Sequence, residues 1–274
     1  MDKLYHYTSI ETLYNMLDKS IIVDEETNTK YLKMWATHIE YLNDEMERKL
    51  FTDMLTRKVE KYAIEIGHVL DDEQRKVINM LCRVDSYIIS LSELNDDLSM
   101  WRGYGGNGVG VNIEFDFYNI PPFYATSKHN TFKTEKVFRA IKCDYLEPES
   151  CYIDKLLIKK IYKHCLEDNK NVFDGAIIMK EIQDLSTKSK HIAYVSEKEW
   201  RFVCTPNSRP KHLFSNGIIK PYIEYPIPIN AITAVTIGPC IKDEYSIVSL
   251  ERFIRKKLSS NIRIEYSKIP YRRY

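Results

Sequence analysis

The chain has 274 residues, of which 44% are hydrophobic and 29% charged, so it can bury a core and is not expected to be disordered. Its 40 basic and 39 acidic residues are interspersed, so charge gives no support for binding to nucleic acid. No apolar run approaches the roughly 20 residues of a membrane helix, and the amino terminus lacks the basic start of a signal peptide. We therefore expect a cytoplasmic protein that does not associate with membranes.

The first third of the chain alternates strand and helix patterns. The predicted elements are a strand at 4–8, a helix at 9–18 with a capping box from Thr8, a strand at 31–37, a long helix opened by Asn43-Asp44, a helix at 73–83 and a strand at 87–91. The long helix has the clearest period, with apolar residues from Leu50 to Ile66 at three- and four-residue steps. It therefore needs a packing partner.

The rest of the chain continues this mixture. The predicted elements are a short helix at 97–104, a strand at 109–115, a loop at 121–134, a strand at 137–145, helices at 153–166 and 172–185, strands at 198–204, 218–225 and 232–237, a helix at 244–258 and a strand at 262–269. Strands with helices inserted between them, rather than strict strand–helix alternation, favour an α+β fold over a doubly wound parallel sheet. We expect one domain over residues 1–274, with helical insertions at about 43–84 and 150–190.

The six cysteines offer no metal site. They form no Cys-x-x-Cys pair, and no histidine stands at zinc-ligand spacing from them. We expect buried thiols in a reducing compartment and no bound metal.

The first candidate site residue is His6, in the strand Leu4-Tyr5-His6-Tyr7-Thr8. Alternation along a strand points Tyr5 and Tyr7 to one side and His6 to the other. His6 then faces either a cleft or the core, where a backbone carbonyl would satisfy it. The pentapeptide leaves both interpretations open.

A second candidate group combines a serine strand with a glycine-rich segment. Ser90 and Ser92 alternate onto one side of their strand, and glycines at 103, 105, 106, 108 and 110 would let the backbone approach a ligand closely. The segment leads into a strand, so it lacks the helix that holds a pyrophosphate in a dinucleotide-binding turn. Trp101 is either a core residue or a stacking platform for a base.

The third group is Glu197, Glu199 and Arg201, within Ser196-Glu197-Lys198-Glu199-Trp200-Arg201. On a strand this spacing puts all three on one face, where Arg201 can hold a carboxylate in a bidentate pair. Such a cluster suits a reaction in which positive charge develops. A solvated strand face is the other interpretation. Trp35 is a smaller signal, and Asn43 is explained by capping of the following helix.

These segments and their order resemble a family of bacterial and phage proteins known as domain of unknown function 2971, which is related to the ADP-ribosyltransferases. The matching pieces are Leu4 to Thr8, Trp35-Ala36-Thr37, Leu42-Asn43-Asp44, Leu98 to Tyr104 with Gly108, Glu197 to Arg201, Ile237-Gly238-Pro239 and Ser267 to Arg272. The resemblance spans most of the chain. It implies an ADP-ribosyltransferase-like fold of split mixed or antiparallel sheets with inserted helices.

The resemblance also implies roles for individual residues. If this chain works like the histidine-class ADP-ribosyltransferases that it resembles, His6 would contact the adenosine-side ribose of NAD. Glu199 would bind the nicotinamide-side ribose. Glu197 would orient the acceptor, and Ser90 and Ser92 would match a Ser-Thr-Ser strand in which Leu91 replaces the threonine. Trp35, Trp101 and Tyr104 compete to stack on nicotinamide. The expected NAD-binding residues are His6, Tyr7, Thr8, Trp35, Ser90, Ser92, Trp101, Tyr104 and Arg201.

The expected activity is NAD-dependent. NAD would be the substrate, and ADP-ribose would pass to an unknown acceptor, protein or nucleic acid, or to water. Relatives that modify arginine carry an arginine where this chain has His6, so the acceptor does not follow from the resemblance. A toxin or phage-defence effector with a protein partner or antitoxin fits this activity. The alternative is a non-catalytic nucleotide-binding or protein-interaction module on the same fold.

Overall fold

The computed structural model describes residues 3–42, 47–83, 85–120, 138–147, 153–166, 172–204, 209–215 and 217–272. These residues form a mixed α+β structure with one large mixed sheet, one small sheet and several helices. The α+β expectation is therefore confirmed at this level. The predicted loop at 121–134 and the predicted helix start at Asn43-Asp44 lie outside the described residues.

Several of the described helices begin at a side chain that caps their amino end. Those described are α1 (Ile10–Lys19), α2 (Glu47–Glu65), α3 (Asp72–Leu81), α4 (Leu98–Gly103), α5 (Lys155–Leu166), α6 (Val172–Ser186) and α7 (Glu244–Lys257). Ser9 caps α1 by accepting a hydrogen bond from the Thr12 amide, so the predicted capping box starting at Thr8 is wrong by one residue. Asp71 and Gln74 form a full capping box on α3.

The strands among the described residues outnumber those expected from sequence. They are β1 (Lys3–Thr8), β2 (Ile21–Val23), β3 (Lys30–His38), β4 (Tyr87–Ser92), β5 (Val111–Asp116), β6 (Phe138–Lys142), β7 (Asp144–Leu146), β8 (Ser189–His191), β9 (Glu199–Cys204), β10 (Lys211–Ser215), β11 (Ile218–Pro228), β12 (Ile232–Ile237) and β13 (Arg263–Tyr266). Three of them, β2, β8 and β10, were not predicted. The predicted strand at 137–145 is divided between β6 and β7, which belong to different sheets.

The large sheet has eleven strands among the described residues, with the main order β10-β11-β3-β4-β1-β5-β12-β13. β2 also pairs with β3, and β9 pairs with both β4 and β6. β12 and β13 are parallel, whereas β1 is antiparallel to β4 and β5. β4 thus contacts the strand that carries His6 and the strand that carries Glu199.

The two faces of β1 have cross-strand neighbours of different chemistry. On one face, His6 pairs with Ile113 of β5, and the neighbouring pairs on that face are Leu4–Phe115 and Thr8–Val111. On the other face, Tyr5 pairs with Glu114. Cross-strand partners share a face, so His6 lies among apolar side chains and Tyr5 beside a carboxylate.

Glu114 is 4% exposed and is surrounded by donors. It accepts hydrogen bonds from Lys3, from Thr233 at 2.6 Å and from Arg263 at 2.8 Å. Burial alone raises the pKa of Glu114, but these donors and the charge of Arg263 together hold it below its usual range. Burial and the nearby Glu114 carboxylate raise the pKa of Tyr5 to about 12.

The chain divides into two compact units. The first contains residues 1–37, 88–141 and 196–274, and the second contains residues 38–87 and 142–195. Both predicted helical insertions, at 43–84 and 150–190, lie within the second unit. The chain enters and leaves the second unit twice.

The second unit has its own apolar core. Helices α2, α3, α5 and α6 supply it, with Phe51, Leu55, Val59 and Ile161 among its least exposed members. These positions follow the predicted apolar stripe of the long helix, although Ile66 is exposed. The small parallel sheet of β7 and β8 belongs to the same unit.

The cysteines match the expectation of thiols rather than disulfides over the described residues. Cys82, Cys143, Cys165 and Cys204 are buried and Cys240 is half-buried, and none of these five forms a disulfide among the described residues. Cys151 lies outside the described residues. Within the described ranges, no helix has the length and apolar character needed to cross a lipid bilayer.

Candidate functional site

Every predicted site residue lies in the first unit. His6, Tyr7 and Thr8 are on β1, Ser90 and Ser92 on β4, Trp101 in α4, Tyr104 just after it, Trp35 on β3, Glu197 just before β9, and Glu199 and Arg201 on β9. β4 pairs with β1, β3 and β9. This strand is therefore the element that joins most of the candidates.

His6 is attached to β4 through its ring. Its Nδ1 lies 3.0 Å from the backbone oxygen of Ser90. A carbonyl can only accept, so Nδ1 carries the proton and Nε2 of the neutral ring is an acceptor. Burial lowers the pKa of His6, and the bond to Ser90 opposes this in part. A neutral histidine with one acceptor nitrogen can receive a hydrogen bond from a hydroxyl group.

The two glutamates flank a sharp backbone corner. A 3-10 helix ends at Glu197, Lys198 has a φ of 45°, and β9 begins at Glu199. The expectation that Glu197 shares a strand face with Glu199 and Arg201 is therefore wrong, because the left-handed Lys198 interrupts the strand geometry. A left-handed non-glycine residue costs roughly 1–2 kcal/mol, so the surrounding structure must hold the corner.

The corner is held by the end of β4. The Ser92 hydroxyl donates to the Glu197 carbonyl at 2.6 Å, and the Glu93 amide donates to the Lys198 carbonyl at 3.1 Å. Ser92 also accepts from the Leu94 amide at 3.0 Å and is 1% exposed. The predicted serine strand thus fixes the position of the glutamates through hydrogen bonds within the protein.

The two carboxylates differ in their surroundings. Glu199 is 4% exposed, and its two oxygens accept from Nε and Nη2 of the buried Arg201 at 3.0 and 3.1 Å. The bidentate pair expected from the sequence is confirmed. Glu197 is half-buried and accepts from the Tyr104 hydroxyl at 2.7 Å. Glu197 is therefore the more accessible carboxylate of the two.

The aromatic candidates are also distinguished by burial. Trp101 is 0% exposed, packs edge-on against Tyr7 with ring centroids 4.8 Å apart, and donates from Nε1 to Asp96 at 2.6 Å. Tyr104 keeps part of its surface exposed. Trp35 is also partly exposed and contacts Tyr222 of β11, with ring centroids 5.2 Å apart.

Tyr7 and Thr8 are buried within the fold. The Tyr7 hydroxyl accepts from the Asp97 amide at 3.2 Å and donates to the backbone oxygens of Leu94 and Asn95. Burial raises the pKa of Tyr7. Thr8 is 6% exposed at the end of β1.

The glycines of the predicted loop allow backbone segments to approach one another. A Cβ atom at Gly110 would lie 2.2 Å from the Thr8 carbonyl oxygen and 2.6 Å from that of Gly105. A Cβ at Gly238 would lie 2.5 Å from the Gly108 carbonyl oxygen. Close approach is expected of the loop glycines, and at Gly110 the neighbour is the protein's own backbone. Gly238, outside that loop, packs in the same way on the backbone of Gly108.

Asp96 was not identified from the sequence. Besides Trp101, it accepts from the Ser267 hydroxyl at 2.7 Å and from the Lys268 amide at 2.8 Å. It thereby joins α4 to the segment after β13. The acidic pair Asp96-Asp97 before a helix indicates capping, and Asp97 does cap α4, but no local signal distinguishes Asp96.

No metal site accompanies these residues. Over the ranges that the structure describes, no three His, Cys, Asp or Glu side chains are grouped so that they could hold a metal ion. The donors and acceptors of the site are instead one imidazole, two carboxylates, one guanidinium and hydroxyl groups. Glu199 and Arg201 are buried and paired with each other, so the half-buried Glu197 is the carboxylate that can reach a sugar hydroxyl or stabilise a nearby positive charge.

Comparison with known proteins gives a match to a family model. Neither the curated proteins nor the solved structures that were searched contain a match to the chain. A family model described as "Protein of unknown function (DUF2971)" matches residues 100–202, which include most of α4 together with Tyr104, Glu197, Glu199 and Arg201. His6 and Ser92 lie outside the match. Over residues 100–202, the match supports the domain-of-unknown-function family that the sequence resembles.

Proposed function

We propose that the protein is an NAD-dependent, ADP-ribosyltransferase-like enzyme that cleaves the bond between nicotinamide and ribose. The observation that carries this proposal is the shared attachment to β4. Ser90 accepts from His6, and Ser92 and Glu93 hold the Glu197–Lys198 corner. The His6 ring and the backbone at Glu197 are thereby both held by β4.

Cleavage places positive charge on the ribose. The C1′–N bond breaks with its electron pair going to the nicotinamide ring nitrogen, which leaves an oxocarbenium-like ribose. A carboxylate beside that ribose stabilises the transition state more than the ground state. The acceptor, or water, then forms a bond to C1′ and loses its proton to a carboxylate acting as general base.

We assign the substrate contact to Glu197 and the supporting role to Glu199. The resemblance alone gives the ribose to Glu199, but Glu199 is buried in its pair with Arg201. Glu197 is half-buried, and the Tyr104 hydroxyl orients its carboxylate. Tyr104, partly exposed beside Glu197, is our choice to stack on nicotinamide. His6 would accept a hydrogen bond from the adenosine-side ribose through Nε2.

The test is release of nicotinamide from NAD by the purified protein, with ADP-ribose followed in solution and on added protein or nucleic acid. Glu197→Gln should lower kcat by about 100-fold or more, as for removal of one transition-state contact. His6→Gln should mainly raise KM. Glu25→Gln, at an exposed turn, is the control and should change neither. Wild-type protein that neither binds NAD in calorimetry nor releases nicotinamide would overturn the proposal.

A non-catalytic nucleotide-binding module is the second candidate. The burial of Glu199 against Arg201 favours it, because that carboxylate is already occupied in the fold. It predicts saturable NAD binding with no nicotinamide release, and equal binding by wild type and Glu197→Gln. A toxin or phage-defence role, and a protein partner or antitoxin, remain proposals attached to either activity.

A further inference from the structure

Trp200 of β9 makes a hydrogen bond that the proposed mechanism does not use. Its Nε1 donates to the Glu93 carboxylate at 2.8 Å, across a sequence separation of 107 residues. Glu93 directly follows β4, and both residues are half-buried. An N–H group that donates to a carboxylate is a directional contact, so it fixes the position of one residue relative to the other.

Glu93 also contacts the Glu197–Lys198 corner through its main chain. Its amide donates to the Lys198 carbonyl at 3.1 Å, while its carboxylate accepts from Trp200, two residues further along the chain. The Ser92 hydroxyl donates to the Glu197 carbonyl beside it. The end of β4 supplies the donors of two of these bonds, and Trp200 supplies the donor of the third. The corner and the end of β4 therefore hold each other from both sides.

Phe117 also restricts the indole ring. The rings of Phe117 and Trp200 lie edge to face, with centroids 5.7 Å apart and an interplanar angle of 62°. Phe117 begins the 3-10 turn that follows β5, a strand that pairs with β1 and β12. Trp200 is thus fixed by a polar contact at Nε1 and by an aromatic contact from an element other than β4.

The backbone at Lys198 makes such support necessary. Its φ of 45° is one that lysine adopts only where its surroundings impose it. Because Glu197 directly precedes Lys198, relaxation of this angle would change the direction of Glu197 relative to β9. Strand alternation points Trp200 away from the face of Glu199 and Arg201, so its bond to Glu93 is separate from that buried pair.

We propose that Trp200 is a positioning residue for Glu197. Through Glu93, it keeps the corner in the conformation that presents the Glu197 carboxylate to the ribose of NAD. This role rests on the proposed function, in which Glu197 contacts the substrate. Loss of the Trp200 bond should affect kcat rather than KM, because a displaced carboxylate stabilises the transition state less.

The first test removes the donor and keeps the ring. Trp200→Phe leaves an aromatic side chain beside Phe117, and kcat for nicotinamide release should fall by about tenfold with KM near its wild-type value. Tyr118→Phe is the matched control, because it removes a hydroxyl group from the exposed ring next to Phe117. It should change neither constant. Equal losses of kcat in the two variants would overturn the proposal.

Hydrogen exchange at the Glu93 amide measures the corner without any substrate. In Trp200→Phe this amide should exchange about tenfold faster than in the wild type, because its bond to Lys198 opens more often. The amides of β5 should keep their wild-type rates, which shows that the opening is local. An unchanged rate at Glu93, or an equal acceleration along β5, would contradict the proposed role of Trp200.

Variants at Glu93 test the same bond from the acceptor side. Glu93→Met keeps the main-chain amide and should lower kcat about as much as Trp200→Phe, while Glu93→Gln keeps an acceptor oxygen and should recover part of the loss. The double variant Trp200→Phe/Glu93→Met should lose about tenfold, like each single variant. An additive loss of about 100-fold would show that the two residues act independently and would overturn the proposal.

Failure of the proposed function gives a different result from failure of this inference. Wild-type protein that releases no nicotinamide overturns the proposed function alone. The exchange rate of the Glu93 amide in Trp200→Phe then decides whether Trp200 holds the corner. In an active enzyme, faster exchange at Glu93 with an unchanged kcat would overturn the positioning of Glu197 by Trp200.

Discussion

Two regions of the first unit use similar residues for different purposes. In the aromatic clamp, formed by Tyr7, Trp101, Asp96 and Ser267, the tryptophan is fully buried and its nitrogen donates to Asp96. In the glutamate corner, formed by Ser92, Tyr104, Glu197 and Lys198, a strained backbone holds a half-buried carboxylate. Both regions contain aromatic, hydroxyl and carboxylate groups.

The comparison teaches that burial and backbone geometry, rather than residue type, separate a structural cluster from a candidate site. In the clamp the polar atoms of Tyr7 and Trp101 bond to groups within the fold. In the corner the left-handed Lys198 is maintained against its intrinsic preference, and such strain is concentrated at functional sites. The strain motivates our choice of the corner, and four predictions test the distinction.

The largest expected effect comes from breaking the buried pair behind the corner. Arg201→Met removes both guanidinium hydrogen bonds to Glu199, so the free energy of unfolding should fall by about 3–5 kcal/mol. Urea denaturation measures this change. Arg102→Met is the control. Among the described residues, exposed Arg102 makes a cation–π contact with Tyr271 at 5.0 Å, and losing it should cost under about 1 kcal/mol. Equal losses for the two variants would contradict a structural role for the Glu199–Arg201 pair.

The next effect tests the clamp. Asp96→Asn weakens the hydrogen bonds from Trp101, Ser267 and Lys268, so unfolding free energy should fall by about 1.5–3 kcal/mol. Asp97→Asn makes the same chemical change one residue later, at the cap of α4, where asparagine caps as well as aspartate, so its cost should be near zero. A difference below about 0.5 kcal/mol between the variants in chemical denaturation would show that Asp96 does not stabilise the clamp.

These regions also show what the sequence can predict. The apolar residues at three- and four-residue steps along α2 predict its buried face. A two-residue spacing on a strand predicts the Glu199–Arg201 pair. Strands β2 and β8 have three residues each, too few for a period to emerge. Asp96 bonds to Ser267, which is 171 residues away, so no local pattern identifies it.

The corner was missed for a different physical reason. Lysine has no preference for the left-handed conformation, so Glu-Lys-Glu was interpreted as continuous strand. The conformation of Lys198 is imposed by hydrogen bonds from Ser92 and Glu93, which only the folded chain brings near it. The difference in burial between Glu197 and Glu199 is likewise set by the tertiary structure, so their spacing in sequence does not give it.

A smaller effect tests the strain directly. Lys198→Gly removes the Cβ that disfavours a φ of 45°, so unfolding free energy should rise by up to about 1 kcal/mol. Asn28→Gly, in an exposed turn with a φ of 51°, is the matched control and should gain less, because asparagine tolerates this conformation. In our proposal, Lys198→Gly also loosens the corner and lowers kcat for nicotinamide release. A loss of stability in Lys198→Gly would contradict the strain argument.

The smallest expected effect concerns His6. This residue lies on β1, the strand that also carries Tyr7 of the clamp, and its ring is hydrogen-bonded to Ser90 of β4. Because burial lowers its pKa in the folded state, the folded protein binds fewer protons at His6 than the unfolded chain. The stability that this group contributes is present above the unfolded pKa of about 6.5 and is lost as pH falls below it.

His6→Gln keeps a polar group and should make the free energy of unfolding depend less on pH between about 5 and 7. Urea denaturation across this range measures the slope, with His212→Gln at an exposed position of β10 as control. If His6→Gln and wild type have the same slope, the imidazole is not held neutral by its bond to Ser90 and its apolar neighbours, and the acceptor role of Nε2 in our proposal loses its basis.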